Sequence, residues 1–202
     1  HIPVQRVEGE GTKIQVKVCG LMGGHSGAEI DKNRANANKL MGRFLYGLKK
    51  KADYAVISLT GGQKDNAITR ECITEFLTDA PEEVKAYAKE LQEQIREEYT
   101  GSDENITIEV KENGVETAQV LHPTSQEKIV FYLQNVPFGI QKMSGTIKGL
   151  VESSSNIGIL RLDEDELFAS SSVRGSVDAA CSAISDKIEY LSFFHRFHLV
   201  IQ

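Results

Sequence analysis

Thr12-Lys13-Ile14-Gln15-Val16-Lys17-Val18-Cys19 decides the fold. Ile14, Val16 and Val18 alternate with Lys13, Gln15 and Lys17, and a period of two marks a strand with one buried and one wet face. The strand runs into Gly20-Leu21-Met22-Gly23-Gly24-His25-Ser26-Gly27, a segment too rich in glycine for a regular element. Ala37, Leu40, Met41, Phe44, Leu45 and Leu48 then recur at helical spacing, which predicts a helix from about Asp31 to Lys50. Ala55-Val56-Ile57-Ser58-Leu59 reads as a buried strand broken by Gly61-Gly62, and Ala67 to Leu77 as its antiparallel return. Pro81-Glu82-Glu83 opens a second helix, with proline in the first turn and acids at the positive end of the helix dipole. Its apolar stripe is Val84, Tyr87, Ala88, Leu91 and Ile95; Ile106, Ile108 and Val110 alternate in a fourth strand. The order β-α-β-β-α-β is the split βαβ, or ferredoxin-like, arrangement, which needs both crossover helices on one face of the sheet.

The rest of the chain reads differently. Pro123 to Asn135 predicts a helix ended by Pro137, and Asn156 to Leu162 with Glu166 to Val173 a hairpin around Asp163-Glu164-Asp165. Val177, Ala180, Cys181, Ile184, Ile188 and Leu191 share one face of a final helix. The expected class is therefore α+β: a βαββαβ unit over residues 4–115, extended by an αββα unit over 116–191. Residues 192–202 are an atypical apolar tail, which either docks on the domain or continues into something else.

The chain has 202 residues, 40% hydrophobic and 26% charged, enough apolar material for a core without a disulfide or metal staple. A net charge of −6 argues against a nucleic-acid partner and lends no support to binding an anionic membrane. No apolar stretch reaches membrane-spanning length and no signal peptide is seen. Cys19, Cys72 and Cys181 form no CxxC pair and read as buried, reduced thiols of a cytoplasmic protein.

Taken singly, the chemistry-bearing residues have ordinary surface explanations. His25 sits on a glycine turn where an imidazole can meet a ligand oxygen or simply face water. The segment lacks the Lys-Ser/Thr of a phosphate loop. Asn66 lies where a hairpin turn is expected, a common place for Asn. Arg174 ends a strand, where its guanidinium can grip a carboxylate or merely be solvated. His195 and His198 are one helical turn apart, without a nearby acid or Cys to complete a metal shell.

Taken together, five ordered motifs say more. Gly23-Gly24-His25-Ser26-Gly27, Asn36-Ala37-Asn38-Lys39-Leu40, Asn66-Ala67-Ile68-Thr69-Arg70-Glu71, Val151-Glu152-Ser153-Ser154-Ser155-Asn156-Ile157-Gly158 and Ser171-Ser172-Val173-Arg174-Gly175-Ser176 resemble the lid domain of the aminoacyl-histidine dipeptidases. These are also called Xaa-His or cytosolic non-specific dipeptidases, and the resemblance runs roughly from Val4 to Leu191. It implies a parent enzyme whose separate catalytic domain holds two zinc ions, with a water between them attacking the peptide bond of a dipeptide. It implies that the lid closes over the substrate and pairs subunits as a homodimer. It also implies roles: His25 polarises the scissile carbonyl, while Asn66 and Arg174 hold the dipeptide, Arg174 through the terminal carboxylate. The segments that carry the family's metal ligands are not in this sequence, so the chain alone is expected to hold no metal and to be inactive. Two other readings stay open: the lid of a related zinc exopeptidase or aminoacylase, and a stand-alone ferredoxin-like binding module, which would have no need of the His25, Asn66 and Arg174 set.

Overall fold

The computed structural model describes residues 1–193, so the expected tail beyond Phe193, with His195 and His198, lies outside the described residues. Ten strands and four helices follow one another: β1 (Ile2–Pro3), β2 (Arg6–Cys19), β3 (Gly24–His25), α1 (Ala37–Leu48), β4 (Ala55–Gly61), β5 (Ala67–Ile68), β6 (Cys72–Thr78), α2 (Pro81–Glu98), β7 (Thr107–Leu121), α3 (Pro123–Asn135), β8 (Gly139–Met143), β9 (Val151–Leu162), β10 (Glu166–Gly175) and α4 (Asp178–Phe193). The fold is α+β, as expected. Eight strands form one sheet in the order β1-β10-β9-β4-β6-β2-β7, with β8 also on β9, and every neighbouring pair is antiparallel. Within it, β4-β6-β2-β7 is the split βαβ unit.

The alternation in β2 is realised on both faces. Ile14, Val16 and Val18 are fully buried beneath the helices. On the other face Lys13 pairs with Glu75 at 3.4 Å and Glu116 at 3.3 Å, and Lys17 with Glu71 at 3.1 Å. The helices form a layer, α1 touching α2 on one side and α3 on the other, and α3 touching α4. The expected stripes of α1 and α2 are buried in full. That of α4 is not: none of its residues is fully buried, although Ile188 and Leu191 pack against the core.

Four local expectations need correction. The first helix begins at Ala37 rather than Asp31, because the Asn36 side chain accepts from the N–H groups of Asn38 (2.9 Å) and Lys39 (3.3 Å) and so fixes the helix start. Only one 3-10 turn, Ile30–Lys32, precedes it, stopped by Asn33 in the left-handed region at φ 52°. The strand expected over Ala67–Leu77 is two, since β5 pairs with β3 in a separate ribbon and β6 joins the main sheet. The αββα unit has an additional strand, β8. The division expected near residue 115 falls inside β7, and strands from both sides of it share one sheet.

Candidate functional site

His25 is exposed at the end of the glycine-rich segment, where β3 pairs Gly24 with Ile68 and His25 with Ala67. The turn after it brings the backbone N–H groups of Gly27 and Ala28 onto His25 Nδ1, both at 3.2 Å. A ring nitrogen that accepts hydrogen bonds carries no proton, so the neutral imidazole holds its proton on Nε2. The turn thus fixes both the tautomer and the ring direction, and leaves one N–H donor for a ligand oxygen.

The backbone of His25 is held as firmly. Its N–H donates to Glu29 Oε2 at 2.9 Å, and Glu29 pairs with Arg34 at 2.8 Å. The His25 N–H, helped by Arg34, holds the Glu29 carboxyl below its ordinary value. Arg34 also donates to the carbonyl of Gly23. Both limbs of the segment are pinned by one buried carboxylate: Asp103 accepts from Met22 N at 3.0 Å and from Ala35 N at 3.2 Å.

Arg174 reaches the same place from β10, where it pairs with Ser154 of β9. Its guanidinium and the His25 ring flank Gly27: a methyl group on Gly27 would stand 3.1 Å from Arg174 Nη1 and 3.1 Å from His25 Cε1. The Arg174 side chain makes no hydrogen bond or ion pair with the described residues. A proton-bearing Nε2 and an unneutralised guanidinium beside one short turn can form a seat for a carboxylate or another oxygen anion.

Asn66 joins this corner through its backbone, its carbonyl accepting from Ser26 N at 2.9 Å. Its side chain is exposed and makes no hydrogen bond among the described residues. The loop that carries it is locked from below. The buried Asn156 donates from Nδ2 to the carbonyls on either side, Asp65 at 3.1 Å and Ala67 at 2.8 Å. Asn156 Oδ1 in turn accepts from Asn36 Nδ2 at 3.1 Å, so the residue that caps α1 also steadies this loop. Thr69 Oγ1 adds a bond to the carbonyl of Gly158 at 3.0 Å.

All three expected site residues therefore lie at one end of the sheet, and His25 and Arg174 meet within one chain. The supporting residues Glu29, Arg34 and Asp103 were missed in the sequence. The Asn36 and Asn156 motifs were visible there, but without a role. Among the described residues no group of three or more His, Cys, Asp and Glu is arranged to hold a metal ion.

This fold defines a class. Residues 16–103 match the peptidase dimerisation domain family. Two particular enzymes carry the likeness over nearly the whole chain. It is 26% identical to the cytosol non-specific dipeptidase of Escherichia coli (strain K12) over 193 residues, 95% of this chain. It superimposes on the aminoacylhistidine dipeptidase of Vibrio alginolyticus with a TM-score of 0.91 and 27% identity over 96% of this chain. The chain spans 40% of the length of each. The resemblance read from the five motifs is thus met by sequence and by structure.

Proposed function

We propose that this domain is the lid of a dipeptidase acting on Xaa-His-type dipeptides, and that it supplies one carbonyl-polarising donor and one carboxylate clamp. The observation that supports this most is the meeting of His25 and Arg174 over Gly27 in a single chain. His25 Nε2–H is preset to donate to an oxygen that gains charge as the peptide bond is attacked. Arg174 takes the terminal carboxylate, and Asn66, beside Ser26, contacts the peptide between them. The two zinc ions belong, on this reading, to a catalytic domain outside these residues, and this chain alone neither binds them nor cleaves peptides. The assembly is a cytosolic homodimer.

The test is kinetic, in the full-length parent. His25→Ala lowers kcat by about 10²–10³, the typical effect of removing one oxyanion donor, and changes KM far less. Arg174→Ala raises KM for L-alanyl-L-histidine and has little effect on its C-terminal amide, because the lost ion pair is made in the ground state. Wild-type kcat in a folded, fully metallated His25→Ala enzyme would remove the role given to that histidine. An identical KM for acid and amide in the wild type would remove the role given to Arg174.

A further inference from the structure

We infer that Gly27 is a specificity-determining residue, because its missing side chain leaves the space in which the Arg174 guanidinium lies beside the His25 ring and faces a carboxylate. The inference rests on the roles proposed above for His25 and Arg174. Glycine is usually needed where φ is positive, but Gly27 does not have a positive φ, so its backbone conformation suits alanine as well. Nor is a main-chain atom among the three nearest to an added methyl. The nearest atoms to an added methyl are Arg174 Nη1 at 3.1 Å, His25 Cε1 at 3.1 Å and Arg174 Cζ at 3.2 Å, all in side chains.

The two neighbours differ in how far they can yield. The His25 ring is held by two backbone N–H groups on Nδ1. Arg174 is exposed and unbonded on a flexible stem, so it is the group that moves. A methyl at residue 27 therefore displaces the guanidinium and leaves the imidazole in register. The consequence is selective: recognition of the carboxylate weakens while the carbonyl donor stays in place. Within this chain Gly27 thus sets the preference for a free C-terminus over a blocked one.

The experiment compares wild type, Gly27→Ala, Gly27→Val and Arg174→Ala in the full-length parent, with L-alanyl-L-histidine and its C-terminal amide as probes. Melting temperature and the Arg174 Nε–Hε and His25 ring NMR signals are read on the present chain. The expected result is an unchanged melting temperature for Gly27→Ala, with a shifted Arg174 signal and an unshifted His25 ring. KM for the free acid rises by about tenfold, the size of one charge-assisted hydrogen bond, while KM for the amide barely moves. Gly27→Val gives a larger rise. If Arg174→Ala abolishes the preference for the free acid but Gly27→Ala keeps it, the inference about Gly27 fails and the Arg174 clamp stands. If Arg174→Ala itself keeps the preference, the clamp fails and the inference falls with it. A Gly27→Ala chain that loses its fold also overturns the inference, which requires the backbone to accept alanine.

Discussion

At the scale of single residues, the site is built from exposed groups held by hidden ones. Asp103 is the clearest case, a carboxylate 1% exposed whose two oxygens tie Met22 and Ala35 across the base of the His25 segment. Asp103→Ala is expected to cost about 2–3 kcal/mol, since two backbone donors lose a charged acceptor. Chemical denaturation and faster amide exchange in residues 20–35 would show it, and unchanged exchange there would refute it. Glu29 predicts a pH effect. Its folded carboxyl lies below its unfolded value, so its contribution is fully present above about pH 4.3 and is lost as pH falls through the lowered value. The His25 amide resonance should therefore show a step below that range, and Glu29→Gln should abolish this step. None of these supports was legible in the sequence. An Asp between Ser102 and Glu104 looks like any turn residue, and its partners lie 68 and 81 residues away. His25 and Arg174 were legible only as members of an ordered set of motifs. Each alone has the composition of solvent-facing surface.

At the scale of elements, periodicity was a reliable guide wherever one face is buried and the other wet. The stripes of α1 and α2 and the alternation of β2 emerge as read. β8 escaped notice because none of its five residues is buried, so no alternation marks it. The length of β7 was hidden for the same reason, since Lys111, Glu112 and Val115 pair with β2 while facing solvent. The false start of α1 came from helix-compatible residues before Asn36, whose side chain overrides them. Packing between α1 and α3 carries the prediction at this scale. A methyl on Gly42 would stand 2.6 Å from Leu133 Cβ and 3.3 Å from the Leu133 backbone, so the two helices must separate to admit it. Alanine gains about 1 kcal/mol in helix propensity over glycine, and overpacking costs about 1–3 kcal/mol. Because main-chain atoms stand in the way, the second effect should win. Gly42→Ala should lower stability in a denaturant titration, and a stabilised variant would show that α3 yields freely.

At the scale of the whole molecule, the main path of the sheet ends in two unlike strands, and β8 adds a further edge on β9. One is β1, two residues ending in Pro3; the other is β7, fifteen residues with Val115 71% exposed. Among the described residues no strand pairs with the outer side of β7, a long edge of the kind on which chains associate. The homodimer proposed above is expected to form there. Sedimentation at micromolar concentration should report a dimer, and Val115→Lys should shift it toward monomer; a monomeric wild type, or an indifferent variant, would count against this edge. Arg6 has a further consequence for the molecule as a whole. Its guanidinium donates to the carbonyls of Ile57 in β4, Gln119 in β7, and Asp163 and Glu164 in the turn between β9 and β10. One side chain near the start of the chain thus joins strands from both sides of residue 115, as a rivet through overlapping plates. The early and late halves read as separate modules, yet neither can be exchanged for a homologue's without its neighbour. In a library of chimaeras crossed over near residue 115, the survivors would be those in which both parents present carbonyls to the same arginine.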